Sequence, residues 1–177
     1  MKIRKATQAD AAGIAKVHVD SWRTTYKGII PEDFLSKLSY EKRTQSWIQN
    51  IAREDNYVLA AENTDGKIIG FADCSTRETN TVPNSSDLTS IYLLEEYQGK
   101  GIGKQLLKQI FLHFKSLGYE NIFVEVLADN KTRHFYEYYG AKLFNRTQIN
   151  IGGKVLDELI YEWDNIDEVL KKLLHET

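Results

Sequence analysis

Apolar positions along the 177-residue chain recur in two periods, and the switches between them predict the order of elements. Residues 2–6, KIRKA, read as a short strand. Thr7 and, three residues on, Asp10 then offer the side-chain acceptors that satisfy free amides at a helix start. Ile14, Val17 and Trp22 follow at roughly helical spacing until Gly28 and Pro31 interrupt the pattern. A second helical piece is predicted over 32–51. Residues 56–63 and 67–76 are short, apolar and β-rich, and Thr64, Asp65 and Gly66 between them make a tight turn, so the two form an antiparallel pair.

The stretch 75–87, STRETNTVPNSSD, reads as a surface loop, and 87–94, DLTSIYLL, as the next strand. After it comes a glycine-rich turn, then a helix with Leu106, Leu107, Ile110, Phe111, Phe114 and Leu117 along one face and Gly118 at its end. Residues 121–128 form a strand, and 129–140 a short helix capped by Asp129 or Asn130 and closed by Gly140. Residues 141–149 form a further strand. In 155–163, VLDELIYEW, apolar and acidic residues alternate as in a one-sided antiparallel strand. Ile166, Val169, Leu170 and Leu173 mark a final helix. The sum is one α/β domain over 1–177, with a strand–helix–strand unit at its centre and antiparallel strands on either side.

Composition narrows the classes without adding to the picture of the fold. The 23 basic and 25 acidic side chains nearly cancel, so no bulk field argues for nucleic acid or a membrane surface. The N-terminus has no apolar segment of signal-peptide type, and no apolar run approaches the ~18 residues that span a bilayer. A cytoplasmic protein is expected. The lone Cys74 has no internal disulfide partner, which fits a reducing compartment. His18, His113, His134 and His175 show no ligand spacing, and no metal is expected.

The chemistry concentrates in residues 95–107, EEYQGKGIGKQLL, with glycines at 99, 101 and 103 directly before the long helix. A dinucleotide fingerprint would need its third glycine at position 104, which is lysine, and a phosphate-binding P-loop would need Ser or Thr where Gln105 stands. Both readings fail. Bare backbone at a helix start still makes a phosphate cradle, because glycines let amides approach an anion and the first-turn amides point at it. The helix dipole adds about 0.3 to 1 kcal/mol per charge, and Lys100 and Lys104 add Coulomb attraction.

YQGKGIGKQLL resembles the acyl-CoA pyrophosphate loop, Q/R-x-x-G-x-G/A, of the GNAT superfamily of N-acetyltransferases, with Gln98, Gly101 and Gly103 at the pattern positions. DLTSIYLLEEYQ is similar to that family's fourth strand and its bulge, and NKTRHFYEYYGAK to its later helix. SWRTTYKGIIPEDFL, near the start, is similar to a bacterial branch whose substrates are mostly unassigned. The resemblance implies a mixed, mostly antiparallel sheet splayed between strands 4 and 5, with helices on both faces. It implies acetyl-CoA as cofactor, held by amides of residues Gln98, Gly99, Lys100, Gly101, Ile102, Gly103 and Lys104. A backbone amide near Ile91, Tyr92 or Leu93 would meet the thioester oxygen, Asn130 the pantetheine arm, and Lys131 or Arg133 the adenosine phosphate.

Direct attack on a thioester needs a neutral amine, and at pH 7 an alkyl amine with a pKa near 10 is only about one-thousandth neutral, which leaves about 4 kcal/mol to recover. Asp87 and Glu125 are the candidate bases by position. Glu95 and Glu96, beside the cradle, read as solvated surface. The leaving thiolate needs a proton, and Tyr136, in the FYE of the later helix, stands where the resemblance puts a general acid. Trp22 and Tyr26 would line the acceptor pocket, since the first two helices roof it in the family. A small-molecule amine is the expected acceptor. Protein lysines or N-termini, or a non-catalytic acyl-CoA sensor, are the alternatives, and a homodimer is compatible with the resemblance.

Overall fold

The computed structural model describes residues 1–175. Seven strands form one sheet in the order β1-β2-β3-β4-β5-β7-β6. They are β1 Lys2–Lys5, β2 Tyr57–Glu62, β3 Ile68–Cys74, β4 Ser85–Leu93, β5 Asn121–Leu127, β6 Lys142–Ile151 and β7 Lys154–Trp163. Every neighbouring pair is antiparallel except β4 with β5. The helices are α1 Ala11–Thr25, α2 Glu32–Ser36, α3 Tyr40–Ala52, α4 Ile102–Ser116, α5 Thr132–Tyr138 and α6 Ile166–His175.

Both faces of the sheet are covered because both carry apolar side chains. On one side Leu106, Leu107, Ile110, Phe111 and Phe114 of α4 pack with Val169, Leu170 and Leu173 of α6 against Ile122, Val124, Leu159 and Trp163. On the other, Ile14, Ala15 and Val17 of α1 and Trp47 of α3 cover Val58, Ala60, Ile68 and Phe71. A smaller cluster joins Tyr26, Ile30 and Leu35, at the end of α1 and in α2, to Leu127 of β5 and Leu156 of β7. That third cluster anchors the roof over the middle of the sheet.

The predicted helix over 32–51 is in fact two. Ser39 adopts extended backbone and its hydroxyl accepts from the Lys42 amide at 3.2 Å, so α3 starts afresh there. Arg23 ties the break down by donating to the carbonyls of Leu35 and Leu38 at 3.2 and 3.0 Å. The Thr7–Asp10 pair acts as expected, with the Thr7 amide donating to Asp10 Oδ2 at 2.8 Å, while Arg4 grips both oxygens of the same carboxylate. The fourth strand begins two residues before the expected Asp87, because Ser85 and Ser86 pair with Asn121 and Ile122 of β5. Residue separation hides such parallel pairing from local periodicity.

β3 carries one buried charge that the core must accommodate. Asp73 is 4% exposed and accepts from the Ser90 hydroxyl, and burial lifts its carboxyl to about 6. The folded chain therefore holds this proton more tightly than the unfolded chain. Its contribution to stability is complete below about pH 4 and is lost as the pH rises to about 6. Asp73→Asn should remove that loss. In denaturant titrations the variant's stability relative to the parent should grow by up to about 3 kcal/mol between pH 4 and pH 7, and a pH-independent difference would contradict the buried titration.

Candidate active site: a forked sheet and a glycine turn

The pairing of β4 with β5 stops after Ser85↔Asn121, Ser86↔Ile122 and Asp87↔Phe123. Beyond that point the two strands part. On its other edge β4 stays paired with β3 as far as Gly70↔Leu93, with a bulge opposite Asp73 and Cys74 that places Thr89 out of register. The Leu94 amide donates to the Ile69 carbonyl at 3.0 Å. Antiparallel alternation then turns the amides of Ile91 and Leu93 away from β3 and into the fork. The Leu93 carbonyl, on that side, accepts from the hydroxyl of Ser21 and the side-chain Nε2 of Gln98 at 3.2 and 3.3 Å.

The glycine turn sits at the mouth of this fork. Gly99 and Gly101 adopt φ of +71° and +76°, which side chains with a Cβ rarely tolerate, and Gly101 is the N-cap of α4. A Cβ added at either would meet nothing within 4 Å, so the space above both is open. Gly103 differs: it is helical, and a Cβ there would touch Phe135 and the side chain of Leu93 at 3.6 and 3.7 Å. Two of the glycines shape the backbone, and the third keeps the wall low.

Fork and turn open into one cleft of about 760 Å³. Ile91, Tyr92, Leu93, Gln98, Gly99, Gly101, Gly103, Lys104 and Asn130 line it, as do Lys131 and Asp129. Asn130 is buried, its Oδ1 accepting from the Thr132 amide at 2.9 Å and its Nδ2 reaching the Tyr26 hydroxyl at 3.5 Å. Other expected residues lie elsewhere. Ile102 points into the core below α4, and the Lys100 ammonium rests over the Tyr97 ring, 5.3 Å from its centroid. Arg133 turns toward Glu137, 3.6 Å away on α5, so that of this expected pair Lys131 is the one on the cleft wall. Thr24, Thr25, Lys27 and Ile29 at and after the end of α1, and Thr132, Phe135 and Tyr139 in and after α5, complete the wall unforeseen, together with Glu95, which was read as plain surface and is exposed on the cleft wall. The four-residue spacing of Phe135 and Tyr139 on one helix face was the available signal.

Tyr136 is buried beside the cleft, its ring edge-on to Trp163 at 5.7 Å and to Phe135 at 5.9 Å. Burial raises its phenol above the ordinary range, so it holds its proton at neutral pH. Tyr26 and Tyr92 share a hydrogen bond of 2.8 Å between hydroxyls in the throat of the fork. Trp22 stacks edge-on against Tyr26 at 4.9 Å, and its indole N–H is buried beside Tyr92 without hydrogen-bond geometry to any group. His18 accepts from Trp47 Nε1 at 3.0 Å, and burial, with Arg43 nearby, lowers it to about 3, so it is neutral.

The two carboxylates proposed as bases meet one partner. Arg77, from the loop before β4, donates from Nε to Asp87 Oδ1 at 2.6 Å and from its backbone amide to Oδ2 at 3.0 Å, while Asn80 donates to Oδ2 at 2.9 Å. Its Nη1 reaches Glu125 on β5. Asp87 is 1% exposed at the closed end of the fork and lies off the cleft wall. Both oxygens of Asp87 are taken, and a carboxylate bound this way is a clamp on two strands rather than a free proton acceptor.

A split sheet with amides turned into the gap thus lies next to a helix start whose glycine backbone is open to the cleft. The family model for the Acetyltransferase (GNAT) family matches residues 18–141. An uncharacterised N-acetyltransferase, YuaI of Bacillus subtilis, is 35% identical over 173 residues, 98% of each chain. A spermidine N(1)-acetyltransferase of Thermoplasma acidophilum is 32% identical over 112 residues, covering 60% of this chain and 66% of its own. Among solved structures, the PaiA N-acetyltransferase of Thermoplasma acidophilum in complex with coenzyme A superposes with a TM-score of 0.67 at 28% identity, over 89% of this chain and 96% of its own. The chain belongs to the GNAT family and is an acyltransferase, and the acyl donor of that family is acetyl-CoA.

Two substitutions check the geometry. Gly101→Asp combines the strained φ with a carboxylate over the cradle, and coenzyme A affinity measured by calorimetry should fall at least about 100-fold. Gly66→Ala, equally strained at φ +79° in the distant hairpin turn, should leave that affinity unchanged. Arg77→Met strips a buried carboxylate of its guanidinium and should destabilise the fold by about 3 kcal/mol in denaturant titrations.

Proposed function

We propose that the protein transfers the acetyl group of acetyl-CoA directly to a primary amine in a ternary complex, and that the acceptor is a small molecule. The observation that carries this reading is the three-pair limit on β4–β5 pairing beside the left-handed turn at Gly99 and Gly101. The residues present suit the donor: open space over two glycines, Lys104 and Lys131 on the wall, and a cleft of about 760 Å³ leading to the fork. When bound, acetyl-CoA supplies an activated acyl group and a thiol leaving group. The Ile91 and Leu93 amides are the preorganised donors for charge developing on the acyl oxygen, an interaction worth several kcal/mol in acyl transfer. In this reading Tyr136, kept protonated by burial in the core beside the cleft, is the proton donor to the departing sulfur.

The closed roof supports a small acceptor over a protein chain. Lys154, in the β6–β7 hairpin, donates to the Ile29 carbonyl at 2.9 Å, and Gly152 packs so closely on Phe34 that a Cβ would approach it to 2.9 Å. Together these contacts join the hairpin to the α1–α2 segment over Tyr26 and Trp22. The similarity to a spermidine acetyltransferase puts polyamines first among acceptors to test.

Release of coenzyme A thiol should accelerate with at least one member of a panel of polyamines, amino acids and amino sugars, and mass spectrometry should find one added acetyl on that amine. Tight coenzyme A binding with no amine effect would mark a sensor rather than an enzyme. With the accepted amine, Tyr136→Phe should lower kcat about 100-fold while changing cofactor affinity less than about threefold. An unchanged kcat would remove Tyr136 from proton donation.

A further inference from the structure

With Asp87 and Glu125 both held by Arg77, the proton of the incoming ammonium needs another destination. β7 supplies a carboxylate on the same face of the sheet. Glu158 pairs with Leu127, the last residue of β5, on one side and with Thr147 of β6 on the other. Leu127 and Leu156, its neighbours on that face, pack with Tyr26, Ile30 and Leu35 under the roof, so Glu158 lies beside the Tyr26 phenol next to the last residue of β5, just behind the cleft's lining residues. We propose that Glu158 is the general base that receives the proton of the attacking amine.

The groups around it fit that role. Glu158 is half-buried and, among the described residues, joins no ion pair. Four groups face it. Thr147 on β6 donates to it, Tyr26 of α1 feels its charge, Arg77 attracts it weakly from the loop before β4, and Glu125 lies along the same face of β5. Burial, opposed by Arg77 and Thr147, raises its carboxyl toward the pH at which a base must both ionise and accept a proton. In the step proposed, an N–H bond of the ammonium breaks and its electron pair stays on nitrogen. An O–H bond forms on Glu158, and the proton later leaves to water from the exposed edge of the carboxyl.

This role rests on the acetyltransfer reading above, and its test separates the two. With the best acceptor of the amine panel, spermidine standing first, kcat/KM of the parent should level off once Glu158 is ionised, above the ordinary glutamate range. Glu158→Gln should lose about 100-fold at pH 7 and regain about tenfold per pH unit, meeting the parent at about pH 9 as free amine replaces the need for a base. Coenzyme A affinity should not change. Glu125→Gln should keep the parent's profile shape. Parallel profiles for Glu158→Gln and the parent, or the regained slope in Glu125→Gln instead, would overturn the role. Should Glu158→Gln fail to fold, Glu158→Ala with added sodium formate is the substitute, and absence of rescue at pH 7 counts against the role. If no amine is accepted, it is the acetyltransfer reading that falls. Carbon-13 NMR of glutamate carboxyls in the free protein then still applies. A titration above the ordinary glutamate range, absent in Glu158→Gln, supports the poised carboxyl, and an ordinary one rejects it.

Discussion

Parallel pairing between β4 and β5 lasts for three residue pairs, and every functional feature is a consequence of where it stops. A strand edge left unpaired inside a protein exposes amides and carbonyls that must find partners, at a cost of about 1 to 3 kcal/mol for each one left unmet. The Leu93 carbonyl is satisfied by Ser21 and Gln98, whereas the amides of Ile91 and Leu93 face the gap. The fork thus turns two backbone donors toward the gap. Arg77 sets its closed end by binding Asp87 on one strand and Glu125 on the other.

The two sheet faces divide the remaining work. α4 and α6 bury the larger apolar cluster and bring the helix start with Gly101 to the mouth of the fork. α1, α2 and the β6–β7 hairpin roof the opposite face, where Tyr26, Tyr92 and Glu158 gather. The glycine turn and the aromatic roof therefore belong to different layers of the fold and meet at the gap.

Aromatic packing shapes the throat as much as charge does. His18 lies 5.7 to 5.9 Å from the rings of Trp22, Trp47, Phe71 and Tyr92, and its lowered pKa keeps it an uncharged member of that cluster. Cys74 belongs to the opposite core, where burial lifts its thiol to about 12 and leaves it unreactive.

Much of this was legible along the chain. Local periodicity marked every strand and most helices, since a strand or helix that buries one face must repeat apolar residues at its own period. It merged α2 with α3, however, and put the cap of α5 at Asp129 or Asn130 where Lys131 stands. The glycines of residues 99–103 marked the turn for a similar reason: left-handed backbone at Gly99 and Gly101 before a helix leaves only glycine as an easy choice. What the sequence could not decide was which distant residues share a space. Asp87 and Glu125 looked like bases because each stands near the fork, but Arg77, reached only when the loop folds back, occupies both. Glu158 looked like the wet side of an alternating strand until the roof formed by α1 and α2 closed over that face. A side chain's chemistry is set by its burial and its partners, and those come from contacts between residues far apart in sequence, which only the tertiary structure brings together.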